Sequence, residues 1–306
     1  LLHGEGIDAT KITVRQLLQH TSGLPEYTDT VPGETDIFQI RDNYYSTRDL
    51  LDVALSKPAA FEPGSQFKYT NTNYIVLSLL AEKVTHRPLA EQITQRIIEP
   101  LGLTHTYYPG PGEEDFRGTH PHGYHRNTPT ENWQDITRMD PAWAGGAGAM
   151  ISTPSELGTF LQATLNGTLL NQDSITEMKK TIEAGDLIGV PGSGYGLGIF
   201  SLPLSCGTAW GHSGGIPGYV TQNMVGPDGT AVTIAAAAAK VIAERRAAIE
   251  NLQAVTTTKS SDVDPVTIVD TAAEEVIRTM LTELRPGDGM IGEEGTATTA
   301  TTGVTW

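Results

Sequence analysis

Three groups of residues combine reactive side chains with surroundings able to hold them. Tyr69-Thr70-Asn71 stands at the start of a helical pattern and places a phenol two residues from a carboxamide. Gly211-His212-Ser213-Gly214-Gly215 lies in a β-like stretch, an imidazole and a hydroxyl followed by bare backbone. Ile12-Thr13-Val14-Arg15-Gln16-Leu17-Leu18-Gln19-His20-Thr21-Ser22-Gly23 reads as a short helix and a turn. Acyl transfer uses groups of these kinds: a nucleophilic hydroxyl, a base for its proton, and donors for the developing oxyanion. Each also has a plainer reading. Asn is a good helix N-cap, so Tyr69 and Asn71 also fit a turn and cap. A strand histidine such as His212 is often simply hydrogen-bonded in place, and Ser22 reads as the turn that closes the first helix. His120-x-His122-x-x-His125 brings up zinc, since imidazoles bind it. Pro121 and Gly123 put it on a loop with no carboxylate or Cys ligand beside it, so it reads as surface decoration, and neither metal nor cofactor is expected.

The elements that must position these residues follow from spacing. Ile12–Leu18 is a short helix stopped by Gly23 and Pro25. Residues 28–45 are polar and loop-like. Ser46-Thr47-Arg48-Asp49 caps a helix through Leu50, Leu51, Val53, Ala54 and Leu55. Phe61-Glu62-Pro63-Gly64 is a turn, and after Asn71 the apolar residues Tyr74, Leu77, Leu80 and Val84 recur at helical spacing. A further helix over Leu89–Ile98 is expected to end at Pro100 and Gly102, and residues 104–142 read as surface loops. The small residues Ala144–Ser152 precede a helix from Thr153-Pro154 that stops at Asn166-Gly167. From Tyr195 to Ala239 the pattern is β: Tyr195–Leu202, Thr208–Gly211, Tyr219–Val225 and Ala231–Ala239, with a hairpin turn at Gly226-Pro227-Asp228-Gly229. Asp264-Pro265 opens a last helix with the stripe Val269, Ala273, Val276, Ile277, Met280 and Leu284. Residues 240–263 read as an insertion, with Arg245-Arg246 on a solvated helix face, and residues 288–306 as a disordered Gly/Thr-rich tail.

Composition narrows the function. The 306 residues hold 36 Asp and Glu against 20 Lys and Arg, a net charge of −16, which argues against nucleic-acid or anionic-membrane partners. One cysteine, Cys206, excludes a disulfide scaffold and multi-cysteine metal sites. No apolar run approaches the roughly 18–20 residues of a membrane span.

In their order and spacing, these motifs resemble the serine β-lactamase and penicillin-binding-protein superfamily, in its class C and D-alanyl-D-alanine carboxypeptidase branch of secreted actinobacterial type. The likeness runs from Ile12 to about Ala239. It includes Pro63-Gly64 before Tyr-x-Asn, Gly145–Ser152 before the Thr153-Pro154 helix, Tyr195-Gly196-Leu197-Gly198, and Gly211-His212-Ser213-Gly214. It implies an α/β (α+β), β-lactamase/transpeptidase-like fold over residues 1–287: an antiparallel sheet flanked by helices, plus an all-helical subdomain. It also implies a penicillin-recognising serine hydrolase, secreted, taking a small-molecule or peptide substrate: a D-Ala-D-Ala stem peptide, a β-lactam or an ester. By the same resemblance Tyr69 moves the proton between nucleophile and leaving group, which calls for a cation nearby, and Asn71 orients the Lys and the substrate amide. His212 belongs to the strand motif, Ser213 bonds a substrate carboxylate, Gly214 lets substrate lie on the strand, the Gly215 N–H is an oxyanion donor, and Trp143 walls the pocket.

The chain departs from that family in three places. The family's nucleophile is the Ser of a Ser-x-x-Lys before Ile12, and none of the eleven preceding residues is Ser. Ser65-Gln66-Phe67-Lys68 matches the pattern but would put nucleophile and base on one short loop, and Thr256-Thr257-Thr258-Lys259 is a weaker imitation. An N-terminally incomplete domain, inactive alone, is the expectation; a non-catalytic peptidoglycan-binding homologue is the alternative. Cys206 lacks the partner cysteine of some relatives. Gly198-Ile199-Phe200-Ser201 carries no basic residue for a carboxylate clamp, which leaves an esterase or amidase open.

Overall fold

The computed structural model describes residues 2–33, 36–128, 130–185, 189–235, 256–258, 265–267 and 301. After a short hairpin, β1 (His3–Gly4) and β2 (Ile7–Asp8), comes α1 (Val14–Leu18). Its cap is a reciprocal pair: the Thr13 hydroxyl accepts from the Gln16 N–H, and the Gln16 side chain accepts from the Thr13 N–H. Next come α2 (Ile37–Ile40) and α3 (Thr47–Leu55), the latter capped by Ser46 and Asp49 in the same way. Then follow α4 (Thr72–Thr85) and α5 (Leu89–Ile93), which runs into a π turn (Thr94–Ile98) and α6 (Glu99–Leu101). Pro100 therefore does not end this helix. It sits in the first turn of α6, where its missing N–H costs little, and Gly102 in the left-handed region makes the stop. The short α2 lies in the stretch expected as loop, and its Ile37 and Ile40 are buried.

Residues 104–142 hold a small antiparallel pair, β3 (Tyr124–His125) and β4 (Gln134–Asp135), and begin a 3₁₀ turn, Pro141–Ala144. Then come α7 (Gly145–Gly148), α8 (Pro154–Leu165) with Thr153 as N-cap, and α9 (Gln172–Met178). The sheet has six strands in the order β10-β9-β8-β7-β6-β5: β5 (Ile182–Glu183), β6 (Gly194–Tyr195), β7 (Phe200–Leu204), β8 (Gly207–Ile216), β9 (Tyr219–Val225) and β10 (Ala231–Ala235). The expected single strand Tyr195–Leu202 is two strands joined by a tight turn, in which Tyr195 pairs with Phe200 and the Gly196 N–H donates to the Ile199 carbonyl at 2.8 Å. The expected short strand Thr208–Gly211 extends through the His212-Ser213-Gly214-Gly215 motif.

The expected helix start at Asp264-Pro265 is corrected: Pro265–Thr267 forms β12, antiparallel to β11 (Thr256–Thr258). Proline fits the first residue of a strand, where it need donate no ladder bond, as well as it fits a helix N-terminus. The stripe Val269–Leu284, the Arg245-Arg246 pair, most of the 240–263 stretch and nearly all of the tail lie outside the described residues.

The chain divides into two compact units. The first comprises Leu1–His120, Arg138–Ile216 and Val220–Ile234; the second draws on Pro121–Thr137, Pro217–Tyr219 and the chain after Ile234. In the first unit, α1, α3 and α4 bury Leu17, Leu50, Leu51, Ala54, Ile75 and Val76 together with Leu24 and Tyr27. Leu50, Leu51 and Ile75 are fully inaccessible, each worth about 1.5–3 kcal/mol of burial. A separate cluster of Leu161, Ile199 and Val225 seats α8 on the sheet. A third, of Ala184, Tyr195 and Phe200 with Phe67 and Tyr69 against it, lies beneath the candidate site.

Candidate active site

Tyr69 ends an extended segment just before α4. Its ring stacks on His20, with centroids 4.1 Å apart, and stands 6.1 Å from the His212 ring. The structure thus brings the Tyr69 and His212 motifs together, although 143 positions separate them in sequence. Burial pushes the Tyr69 phenol up to about 12, with the Glu26 charge adding to it. These influences hold Tyr69 as a protonated phenol among the groups present.

Asn71 occupies the N-cap position of α4 but makes no side-chain cap bond, so the simple capping reading is corrected. Its backbone N–H and its Nδ2 both donate to Oε2 of Glu26, at 2.7 and 3.1 Å. An ionised carboxylate only accepts hydrogen bonds. Glu26 therefore fixes which way the Asn71 carboxamide faces, with Nδ2 toward the carboxylate and Oδ1 turned away. The sequence reading missed Glu26. It lies beside Pro25 in the same phrase as His20, but a single acid in a turn reads as solvated.

His212, Ser213, Gly214 and Gly215 follow one another along β8. His212 is half-buried and stacks on Phe200 with ring centroids 4.5 Å apart, while Ser213 to Gly215 are exposed. A Cβ at Gly215 would meet nothing within 4 Å, and one at Gly214 only the Thr221 Cβ at 3.9 Å. Among the described residues, packing does not require glycine at either position, and nothing covers the strand face there.

Two further residues that sequence reasoning did not assign join this site. Tyr195 is fully buried, and its hydroxyl lies 3.0 Å from His20 Nε2 and 3.2 Å from His212 Nε2. His20, also fully buried, is anchored through Nδ1 to the Thr70 N–H and to Asn73, each at 3.2 Å. Burial drives the His20 imidazole down to about 3, with His212 adding to it. The signals were present as His20 after α1 and Tyr195 in Tyr195-Gly196-Leu197-Gly198, but nothing in spacing links the two. Ser22 is buried and donates to Asn73 Oδ1 at 2.5 Å, which makes it a strut of this network.

Trp143 is 5% exposed in the Pro141–Ala144 turn, walled in by protein, and its Nε1 has no hydrogen-bond partner among the described residues. Ser65 and Lys68 are both exposed, Ser65 in a turn and Lys68 outside any helix or strand. No helical turn sets one above the other. Among the described residues no group of three His, Cys, Asp or Glu could hold a metal ion. His120 Nδ1 bonds the Gly118 carbonyl at 2.7 Å, while His122 Nδ1 meets Asp135 at 2.8 Å, a carboxylate partner that the sequence reading did not foresee. Cys206 is exposed and unpaired among the described residues.

A helical cluster and a six-stranded sheet with helices against it form a β-lactamase/transpeptidase-like fold. The chain belongs to the Beta-lactamase family, whose model matches residues 4–257. A model of the inositol monophosphatase family also matches residues 228–306, overlapping the first match at its end. Penicillin-binding protein 4* of Bacillus subtilis (strain 168) is 28% identical over 228 residues, 69% of this chain and 48% of that protein. The chain thus spans about half the length of that relative. Among solved structures, a D-stereospecific amidohydrolase from Streptomyces sp. superposes with a TM-score of 0.71 at 35% identity, over 76% of this chain and 69% of that one. A D-amino acid amidase from Ochrobactrum anthropi SV3 gives 0.61 at 27% identity, over 74% and 64%.

Proposed function

We propose that this chain carries the substrate-binding walls of a serine hydrolase that cleaves amides or esters of D-amino acids through an acyl-enzyme. D-alanyl-D-alanine ends and β-lactams are included among the acyl donors. The observation that carries the reading is the meeting of the Tyr69 and His212 rings beside the exposed Ser213 to Gly215 stretch of β8. The amidohydrolase and amidase neighbours support the D-amino acid side of it. In this reading the serine and lysine belong to a segment encoded before Leu1, because Ser65 and Lys68 lack the geometry. The lysine charge beside Tyr69 then favours its phenolate, which takes the serine proton as the hydroxyl attacks and passes that proton to the leaving group as the acyl bond breaks. Asn71 presents Oδ1 to the lysine and the substrate amide. Ser213 and the Gly214 backbone align the substrate, the Gly215 N–H donates to the oxyanion, and Trp143 backs the pocket. Secretion is part of the same proposal.

The test is labelling with a fluorescent penicillin. The chain alone is expected to stay unlabelled, and the protein with its upstream segment to label. Tyr69→Phe is expected to abolish labelling, and full labelling of that variant would overturn the role of Tyr69.

The inositol monophosphatase match supports a second division of the chain. One proposal is a hydrolase domain over residues 1–287 with a tail at 288–306. The other is that the chain after the sheet belongs to a second family. A chain cut after Ala239 that keeps the thermal transition of the whole favours the second, and loss of the transition favours the first.

A further inference from the structure

His212 on the strand and His20 after the first helix meet through one buried hydroxyl, that of Tyr195. The proton positions follow from the far ends of this chain of contacts. At one end, His20 Nδ1 faces two donors, the Thr70 N–H and Asn73 Nδ2. The Asn73 orientation is set in turn, because its Oδ1 accepts from Ser22, whose Oγ accepts from the Leu24 N–H at 3.1 Å. Nδ1 of His20 is thus an acceptor. A neutral imidazole then carries its hydrogen on Nε2 and donates it to Tyr195.

At the other end, His212 Nδ1 lies 2.5 Å from the Ser213 carbonyl oxygen, a contact that requires an N–H. A neutral His212 then has a bare Nε2, which accepts from Tyr195. Tyr74 also reaches the Tyr195 hydroxyl; it gives its own proton to the Leu18 carbonyl at 3.2 Å and so competes for the single Tyr195 proton, but a bare imidazole nitrogen is a stronger acceptor than a phenol oxygen, which leaves that proton on the His212 side. The two ends, worked separately, give one direction: His20 to Tyr195 to His212 to the Ser213 carbonyl. Burial holds both imidazoles neutral. Among the described residues the groups packed around His212 are Phe200, Tyr195 and Tyr69, with His20 beyond; none is a carboxylate that would favour an imidazolium.

We infer that His20 and Tyr195 are positioning residues that hold His212 in its Nδ1–H form, with both of its nitrogens engaged within the protein. His212 then offers a substrate neither a positive charge nor a free N–H. The consequence rests on the acyl-transfer reading above. With no cation from His212 beside Ser213, this edge suits an uncharged amide or ester better than a free carboxylate.

Histidine labelled with nitrogen-15 reports the tautomers directly through long-range proton–nitrogen correlation, with His20→Asn and His212→Asn assigning the signals. The expected spectrum shows His20 as Nε2–H and His212 as Nδ1–H, both still neutral where a free histidine takes up its proton, about pH 6.5. His212 as Nε2–H, or an imidazolium forming near pH 6.5, overturns the inference. Tyr195→Phe keeps the ring and removes the hydroxyl, and is expected to turn His212 into a tautomer mixture; an unchanged His212 signal overturns the positioning role. The wild-type spectrum decides the tautomers whether or not the variant folds. Titration with N-acetyl-D-phenylalanine amide and with N-acetyl-D-phenylalanine tests the consequence, with the amide expected to bind about tenfold tighter, about 1.4 kcal/mol. Equal binding, or tighter binding of the acid, overturns the selectivity alone. Binding of neither overturns the acyl-transfer reading and the selectivity with it, and leaves the tautomers to the spectrum.

Discussion

The two walls of the site are held by opposite means. The tyrosine wall is tied by side chains from two short stretches: Tyr69 stacks on His20, Glu26 grips Asn71, and Asn73 joins Ser22 to His20. The histidine wall is placed along its length by backbone, with side chains reaching only the His212 ring. β8 pairs with β7 over five residues from Phe200–Gly211 to Leu204–Gly207, and beyond that ladder Ser213 to Gly215 are exposed. A wall that fixes charge and proton positions needs groups with single donor or acceptor roles, whereas a wall that lays substrate along an edge needs register and open space. The sharpest way to break the contrast is Gly211→Ala. Its Cβ would drive into the Asn223 carbonyl oxygen and crowd Met224, both on β9. Backbone cannot step aside as a side chain can, so a loss of about 3 kcal/mol or more is expected in urea unfolding. An unchanged midpoint would show that register does not hold this wall.

The matching cut in the tyrosine wall is Asn73→Ala. Asn73 is fully buried, and its loss leaves the Ser22 hydroxyl without its acceptor and His20 with one donor fewer. The expected cost is about 2 kcal/mol in the same unfolding experiment, since a buried partner left unmet carries its desolvation penalty. A loss below about 0.5 kcal/mol, the ordinary surface level, would mean that the network only decorates the wall. The same wall has a pH signature. His20 is held down to about 3 in the folded protein against about 6.5 unfolded. The unfolded state binds the proton first as pH falls, so stability present above about pH 6.5 is lost toward pH 3, at up to about 1.4 kcal/mol per pH unit. His20→Asn, which keeps an acceptor near Thr70, is expected to flatten that slope.

The contrast also explains what could be read from the sequence. Local devices were legible: the cap at Ser46, the helix start at Thr153-Pro154, the helix after Asn71, and the turn at Gly226–Gly229 depend on residues within a few positions of one another. The order of the motifs led to the family. The links between distant residues were not legible, because Glu26 to Asn71 and His20 to Tyr195 span 45 and 175 positions. No spacing rule connects them. Short elements were lost for a related reason. α2 buries only Ile37 and Ile40 within a polar stretch, and two apolar residues make no period. Pro265 was misjudged because one residue satisfies both a strand start and a helix start, and only the pairing of β12 with β11 decides between them.

A milder change probes the charge in the tyrosine wall. Glu26→Gln keeps an oxygen for the Asn71 N–H and removes the negative charge. Since that charge adds to burial in raising Tyr69, the phenol is expected to fall from about 12 toward its ordinary value near 10, read by ultraviolet titration of the phenolate. The raised value in the wild type means that stability is lost as pH rises from about 10 through 12, and the variant is expected to lose it over a narrower range. The stability change at neutral pH is expected to stay below about 1 kcal/mol, as a hydrogen bond survives. No movement of the phenol would leave burial as its only cause.

The smallest structural effect belongs to Gly214→Ala, and it separates the two walls most cleanly. The added methyl would stand in open space, 3.9 Å from the Thr221 Cβ, so unfolding is expected to shift by no more than about 0.5 kcal/mol. If substrate lies along this strand, the same methyl occupies its path, and penicillin labelling of the chain joined to the proposed Ser-Lys segment is expected to slow by about tenfold or more, a loss of about 1.4 kcal/mol. Gly211 and Gly214 are only three residues apart, so the pair distinguishes a glycine required by the fold from one required by the ligand. Labelling at the wild-type rate in Gly214→Ala would place the substrate off this edge and leave β8 with a structural role only.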